Sequence, residues 1–163
     1  MGHCKISMGD FYLNTKNADM KNSEFIDDTD NRQEAKESIN KAAWRAIDVL
    51  KDRFSLSLDD MQVILGGIAL ADLEEGLTTE SVELGDDALQ RVSALLAIHK
   101  RLRLLFDREE QAYTWIERPN SHAPFNGMTP RSVMLCGHYD DLLMIAAFLD
   151  SFTRLIAADD IDT

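Results

Sequence analysis

The position of the prolines constrains this chain more than any other feature of its sequence. All three, Pro119, Pro124 and Pro130, fall in one stretch between Trp115 and Gly137. Proline fixes its own φ, lacks a backbone donor and restricts the residue before it, so helix interiors exclude it. The long segments around this stretch contain no proline and repeat apolar residues at helical spacing. The sequence therefore predicts an all-α fold interrupted by one stiff loop.

The end of the loop is marked by residues that start and stop helices. Gly127 is available for a positive φ inside the loop. Thr129 is a good N-cap and Pro130 suits the first helical position, so a short helix is predicted to begin there. Gly137 then ends that helix as a C′ glycine. The loop is predicted to be rigid and to bridge two helices.

Apolar periodicity divides the rest of the chain into three regions. Residues 1–32 show no sustained period and are rich in Asn, Asp, Lys and Ser, which predicts a flexible N-terminal segment. Residues 33–83 contain a helix over 33–54, then a helix-turn-helix outline with short helices over 58–65 and 68–75 around Gly66 and Gly67. Residues 84–163 form the third region, with helices over 84–106, 108–117 and 138–156. Trp44 is predicted to pack in the core, with an oligomer or partner contact as the alternative.

The chain is strongly acidic, with a formal net charge of −12 and a pI near 4.6. This charge argues against non-specific binding to nucleic acid or anionic membranes and favours a partner with a basic surface or a cationic pocket.

The helix-turn-helix region contains acidic residues but no basic ones after its first helix. No Lys, Arg or His occurs between Ser55 and Gln90, so its second helix would meet DNA phosphates with repulsion. We interpret the region as a helix-turn-helix fold that has lost, or nearly lost, its DNA function, and assign no residue to DNA binding. The alternative is that a dimer reads DNA through basic residues of the first helix: Arg32, Lys36, Lys41 and Arg45.

No arrangement typical of an enzyme occurs in the sequence, which lacks GxSxG, P-loop and GxGxxG motifs. The histidines and cysteines do not fall at zinc-ligand spacings, so neither a metal nor another cofactor is predicted. Cys136 comes just before the predicted C′ glycine, at the negative end of a helix, which does not favour a reactive thiolate. It is predicted to be a small buried residue and not a nucleophile. Two distant cysteines, no signal-peptide region and no membrane-spanning apolar run predict a cytoplasmic protein.

The long helix before the proline loop, the loop itself and the helix after it follow a known pattern. It is carried by Leu89, Arg91, Ile98, Leu102, Leu105, Phe106, Trp115, Pro119, Asn120, Phe125, Gly127, Pro130, Gly137 and Leu149. By these residues, positions 84–153 resemble the C-terminal toxin-binding region of the Xre/MbcA/ParS antitoxins. In that family the region before it is an Xre-type helix-turn-helix unit, which residues 33–83 resemble.

The resemblance implies an antitoxin of a type II toxin–antitoxin module that catalyses no reaction. The expected partner is a RES-type toxin, which consumes NAD, or a related ADP-ribosylating toxin, whose active site the antitoxin would block. The expected toxin-binding residues lie in the loop and at the end of the last helix: Trp115, Pro119, Asn120, Phe125, Asn126, Gly127, Arg154, Asp159 and Asp160. The acidic tail is expected to compete for the basic pocket that holds the dinucleotide diphosphate. The family also tends to dimerise through its N-terminal part, so a homodimer is compatible with the sequence.

Two other functions are compatible with the sequence. One is a helix-turn-helix transcriptional repressor that binds DNA and regulates its own operon. The other is an interaction protein that kept the fold after losing its toxin.

Overall fold

Seven α-helices and no strand occur in residues 28–159, the part of the chain that the computed structural model describes, with side chains described for residues 30–154. The helices are α1 (Asp28–Arg53), α2 (Leu58–Ile64), α3 (Leu70–Thr79), α4 (Asp86–Leu105), α5 (Glu109–Ile116), α6 (Pro130–Met134) and α7 (Tyr139–Asp159). The all-α prediction is confirmed for this part of the chain. The helix predicted from Gln33 begins earlier, at Asp28, and residues 1–27 of the predicted flexible segment lie outside the described residues. The chain divides into one unit up to Ala35 and a second from Lys36 onward, which contains the proline loop and helices α2 to α7.

Local sequence signals set several of the helix ends. The Ser57 hydroxyl accepts a hydrogen bond from the Asp60 amide at 3.0 Å, and the Asp60 carboxylate accepts one from the Ser57 amide at 3.0 Å. This capping box starts α2. The Thr129 hydroxyl accepts a hydrogen bond from the Ser132 amide at 3.0 Å and Pro130 occupies the first turn, as predicted for α6. Gly137 follows α6 at φ +79°, in the left-handed conformation that favours glycine.

Trp44 joins α1 to α3 and to the segment that follows α3. Its ring is 1% exposed, and its Nε1–H donates to the Val82 carbonyl at 2.7 Å. On α3, Gly76 lies directly against the ring, since a Cβ built at Gly76 would lie 2.2 Å from Trp44 Cζ2. Asn40 supports the same segment, donating to the Val82 carbonyl at 2.8 Å and accepting from the Leu84 amide at 2.9 Å. The prediction that Trp44 packs in the core is confirmed.

The second half of the chain is built on α4, which packs extensively against α7. Its Arg91 is buried and bridges three parts of the fold. The guanidinium donates to the Asp87 carboxylate at 2.7 Å, to the Ile64 carbonyl at 3.1 Å and to the Gly137 carbonyl at 2.9 Å. Arg91 therefore provides hydrogen bonds to a carbonyl at the end of α2 and to one at the junction between α6 and α7.

A second arginine, Arg131 of α6, ties the end of the proline loop to the first half of the chain. It donates to the carbonyls of Phe54 and Ser55 at 3.2 and 3.1 Å, and to the carboxylates of Asp60 and Glu117 at 2.8 and 2.7 Å. Burial opposes ionisation of Asp60, but the hydrogen bonds from Ser57 and the charge of Arg131 outweigh it and hold the pKa of Asp60 below its usual value. The α2 capping box and the Arg131 cluster therefore share one carboxylate.

Acidification should weaken the fold through this carboxylate. Because the folded-state pKa of Asp60 is lowered, its contribution to stability is present above about pH 4 and is lost as the pH falls through the folded-state value. We expect Asp60→Asn to lower the urea midpoint at pH 7 and to make a smaller difference at pH 3. The control is Asp59→Asn, which alters an exposed carboxylate of the same turn. An equal loss for Asp60→Asn at both pH values would contradict the prediction.

Candidate functional site

The proline loop is closed on itself by backbone hydrogen bonds. The Asn120 amide donates to the Met128 carbonyl at 3.1 Å, and the Gly127 amide donates to the Asn120 carbonyl at 2.8 Å. Inside this closure the Phe125 amide donates to the His122 carbonyl at 2.9 Å. Gly127 has φ +92°, so the positive φ predicted for it is confirmed. The loop has a defined shape because its two ends are bonded directly to each other.

One side chain, Phe125, fixes the loop to the body of the protein. Its ring is 1% exposed and packs edge-on against Trp115 at a centroid distance of 5.9 Å and against Phe148 at 4.9 Å. By contrast, Pro119 and Pro124 are exposed. One buried aromatic side chain therefore fixes the loop to the body of the protein, while the two prolines on its outer face are exposed to solvent.

The loop residues predicted to bind a toxin have two different positions. Asn126 and Gly127 are exposed, and Asn126 adopts φ +51° while its side-chain amide donates to the Pro124 carbonyl at 3.2 Å. Asn120 is half-buried, and its side-chain oxygen accepts a hydrogen bond from the His122 amide at 3.0 Å. Phe125 is buried, so it supports the loop and is not available for contact. Pro119, Asn126 and Gly127 form the accessible part of the predicted set.

Beside the loop lies an apolar groove of about 350 Å³, which is called groove A below. It is lined by Leu105, Phe106, Trp115, Asn120, His122, Phe148, Leu149 and Phe152. The aromatic cluster of the loop continues into it, since Phe148 stacks on Trp115 at 6.2 Å and meets Phe152 at 5.1 Å. Phe152 is 42% exposed, which is high for a residue of that size and polarity. The sequence alone did not predict this groove.

A second groove, groove B, lies beside Trp115 along α5, with a volume of about 390 Å³. It is lined by Phe106, Glu110, Gln111, Thr114, Trp115 and Arg118. Trp115 and Phe106 belong to both grooves, so the two share one aromatic wall. Trp115 is half-buried, supports Phe125 and also lines both grooves.

At the end of α7 the structure describes only part of the predicted site. Arg154 is exposed and pairs with Asp150 at 2.8 Å, and Asp150 also pairs with Arg101 of α4 at 3.0 Å. Asp159 is the last residue of α7, and its side chain is outside the described part. Asp160 lies outside the described residues. The role predicted for the acidic tail stays a prediction.

Two residues, His99 and Cys136, have side chains of types that can take part in catalysis. His99 Nδ1 is 2.9 Å from the Tyr113 hydroxyl, and the His99 ring stacks on Tyr113 and meets Phe54 edge-on. Burial lowers the pKa of His99, which favours the neutral ring. The prediction that Cys136 is buried is wrong: the thiol is exposed and donates weakly to the Ser132 carbonyl at 3.5 Å. Its position before Gly137 did not determine which side of the short α6 it faces.

The outer face of α3 is acidic. Leu73 and Gly76 are buried against the body, while Asp72, Glu74 and Glu75 are exposed. The turn before α3 contains Gly66 and Gly67, both at positive φ, and connects it to α2. Two short helices joined through such a turn have the helix-turn-helix order, and the accessible face of the second carries negative charge.

Within residues 28–159 no helix is both long and apolar enough to cross a membrane. In the same part of the chain, His, Cys, Asp and Glu side chains form no group of three that could hold a metal ion.

Comparison with known proteins finds a related bacterial protein. Over 102 residues the chain is 34% identical to the uncharacterized protein y4oB of Sinorhizobium fredii. The match covers 63% of this chain and 77% of that protein. No family model matches the chain.

Proposed function

We propose that this chain, which belongs to the same family as the uncharacterized protein y4oB of Sinorhizobium fredii, is an antitoxin of a type II toxin–antitoxin module. It binds a RES-type, NAD-consuming toxin or a related ADP-ribosylating toxin through its C-terminal half and blocks the active site. The resemblance of residues 84–153 to antitoxins motivates the proposal. The single observation that carries it is the closed proline loop, which rests on Phe125 and exposes Pro119, Asn126 and Gly127 beside groove A.

The shape of this surface suits protein binding for two physical reasons. A loop closed by its own hydrogen bonds loses little conformational entropy when it binds. An apolar centre surrounded by polar groups is also the usual arrangement of an interaction hot spot. Here groove A provides the apolar centre, and Asn120 and His122 provide polar groups at its lining.

Growth rescue tests the proposal. The full chain is co-expressed with a RES-type toxin, and we expect the chain to restore growth. A chain lacking residues 157–163 should neutralise less well, because it loses the acidic tail that competes for a basic dinucleotide pocket. Lys41→Ala, an exposed change on α1, should neutralise fully. Full neutralisation by the shortened chain would exclude the role of the tail, and failure of the full chain to rescue growth would reject the antitoxin function for that partner.

The second candidate is a DNA-binding transcriptional repressor that regulates its own operon. The order of α2, the Gly66–Gly67 turn and α3 favours it. The exposed acidic residues of α3 oppose it, because most non-specific affinity for DNA comes from cationic contacts with phosphates.

A gel-shift assay over a range of salt concentrations separates the two functions. With the chain alone and its own upstream DNA, we expect no tight binding at 50 mM salt. The variant Asp72→Lys, Glu75→Lys should gain salt-sensitive affinity, because it places cations on the exposed face of α3. Tight, salt-sensitive binding by the unmodified chain would instead support the repressor.

A further inference from the structure

Grooves A and B differ in chemistry although they share the wall formed by Phe106 and Trp115. Groove A has no charged residue in its lining and is formed mainly by aromatic and aliphatic side chains. An apolar side chain entering it would remove the exposed ring of Phe152 from water, which is favourable in proportion to the apolar area covered. The chemistry of groove A therefore selects an aromatic or large aliphatic group.

Groove B adds charge next to that apolar site. Arg118 follows the end of α5, two residues before Asn120 of groove A, and Glu110 lies about two helical turns earlier. Among the described residues neither Arg118 nor Glu110 forms an ion pair, whereas Arg101, Arg131 and Arg154 all do. Arg118 is thus a cation available to a binding partner at the end of groove B nearest the loop.

We propose that grooves A and B form one docking site for a segment of the toxin that carries an aromatic or large aliphatic side chain with a neighbouring carboxylate. The apolar group occupies groove A, and the carboxylate pairs with Arg118. The identity of the partner rests on the proposed antitoxin function, but the chemistry of the site does not. Since the chain has a net charge of −12, its overall field repels anions, so a preference for an anion at this site would have to come from Arg118.

A pair of small probes of opposite charge tests the site without the toxin. Binding of 4-fluorophenylacetate and 4-fluorophenethylamine to the full chain is measured by fluorine NMR. We expect the acid to bind more tightly than the amine despite the negative charge of the protein. We also expect the acid to shift the indole N–H signal of Trp115, which Trp115→Phe identifies.

Four variants locate the binding. Arg118→Gln should weaken binding of the acid about three- to fivefold, as expected for an exposed ion pair, and Glu110→Gln should strengthen it modestly. Phe152→Ala should weaken both probes, because it removes an apolar wall of groove A. Lys41→Gln removes a cation that lines neither groove and should leave binding unchanged.

The outcomes separate this inference from the proposed function. Equal binding of acid and amine, or binding that Arg118→Gln leaves unchanged, would overturn the assignment of the carboxylate. Normal growth rescue by Arg118→Gln, Phe152→Ala would overturn the docking site while the antitoxin function stands. Probe binding as expected together with failed rescue by the full chain would leave the site standing and reject the antitoxin function. If probe signals broaden because two copies of the chain associate through the grooves, the occupant is a second copy and the proposal is wrong.

Discussion

Replacing Trp44 with alanine is expected to lower the free energy of unfolding by about 3–5 kcal/mol, the usual range for a fully buried aromatic residue. The ring is 1% exposed, and its loss would also leave the Val82 carbonyl without the Nε1–H donor at 2.7 Å. Because Trp44 connects α1, α3 and the segment before α4, the variant should unfold at a lower urea concentration as one unit. Urea unfolding followed by circular dichroism measures the loss, and a change below about 1 kcal/mol would contradict this account.

Gly76→Ala tests the contact between Trp44 and α3 through a substitution on α3. In an exposed helix this substitution stabilises by up to about 1 kcal/mol, since alanine is the better helix former. Here the new Cβ would lie 2.2 to 2.5 Å from three ring atoms of Trp44, so the ring must move, and we expect a net loss of about 1–3 kcal/mol. In a Trp44→Phe background the loss should shrink, because the smaller ring lacks the atoms that the Cβ would meet. An equal loss in both backgrounds would show that the clash is not with Trp44.

Much of the fold follows from local signals in the sequence. The three prolines identified the long loop, and Thr129 and Pro130 identified the start of α6, whereas Gly137, predicted as the C′ residue of α6, lies one residue beyond that position because the C-cap is Leu135. These features depend on φ restrictions and capping bonds between residues a few positions apart, which is why they can be read without the tertiary structure. Apolar spacing likewise predicted the cores of α1, α4 and α7.

The two arginine clusters could not be predicted in this way. Arg91 reaches carbonyls of Ile64 and Gly137, and Arg131 reaches Phe54 and Asp60, all far away along the chain. A guanidinium has five donors and a long side chain, so its partners are set by the packing of helices and not by spacing. The resemblance singled out Arg91 as a position but gave no contact for it.

The sequence predicted which loop forms the candidate site but did not predict the grooves beside it, because these also depend on how the helices pack. Helical spacing shows which face of α7 is apolar, but it does not show how much of that face another element covers. Leu149 is covered and Phe152, three residues later, is 42% exposed at the edge of groove A. The sequence also did not identify Arg118 as a candidate binding residue. That assignment depends on its position beside Trp115 and on the absence of an ion-pair partner among the described residues, and neither follows from residue spacing.

Phe125→Ala is expected to have the largest effect on the loop itself. The ring packs against Trp115 and Phe148 and is 1% exposed, so its removal should cost about 3–5 kcal/mol if the loop stays in place. We expect part of that loss to appear as opening of the loop, because Phe125 is the only fully buried side chain among residues 117–129. Hydrogen exchange of the Asn120 and Gly127 amides, which close the loop, should accelerate more than that of α4 amides.

A matched change in the same loop separates anchoring from contact. Met128 is also apolar but 46% exposed, so Met128→Ala should alter stability by about 0.5 kcal/mol or less and leave amide exchange unchanged. If the ordered loop is the docking surface, Phe125→Ala should lose toxin neutralisation at temperatures where the rest of the fold remains intact, and Phe125→Leu should recover part of it. Full neutralisation by Phe125→Ala, with fast-exchanging Asn120 and Gly127 amides, would mean that the toxin is bound elsewhere on this chain.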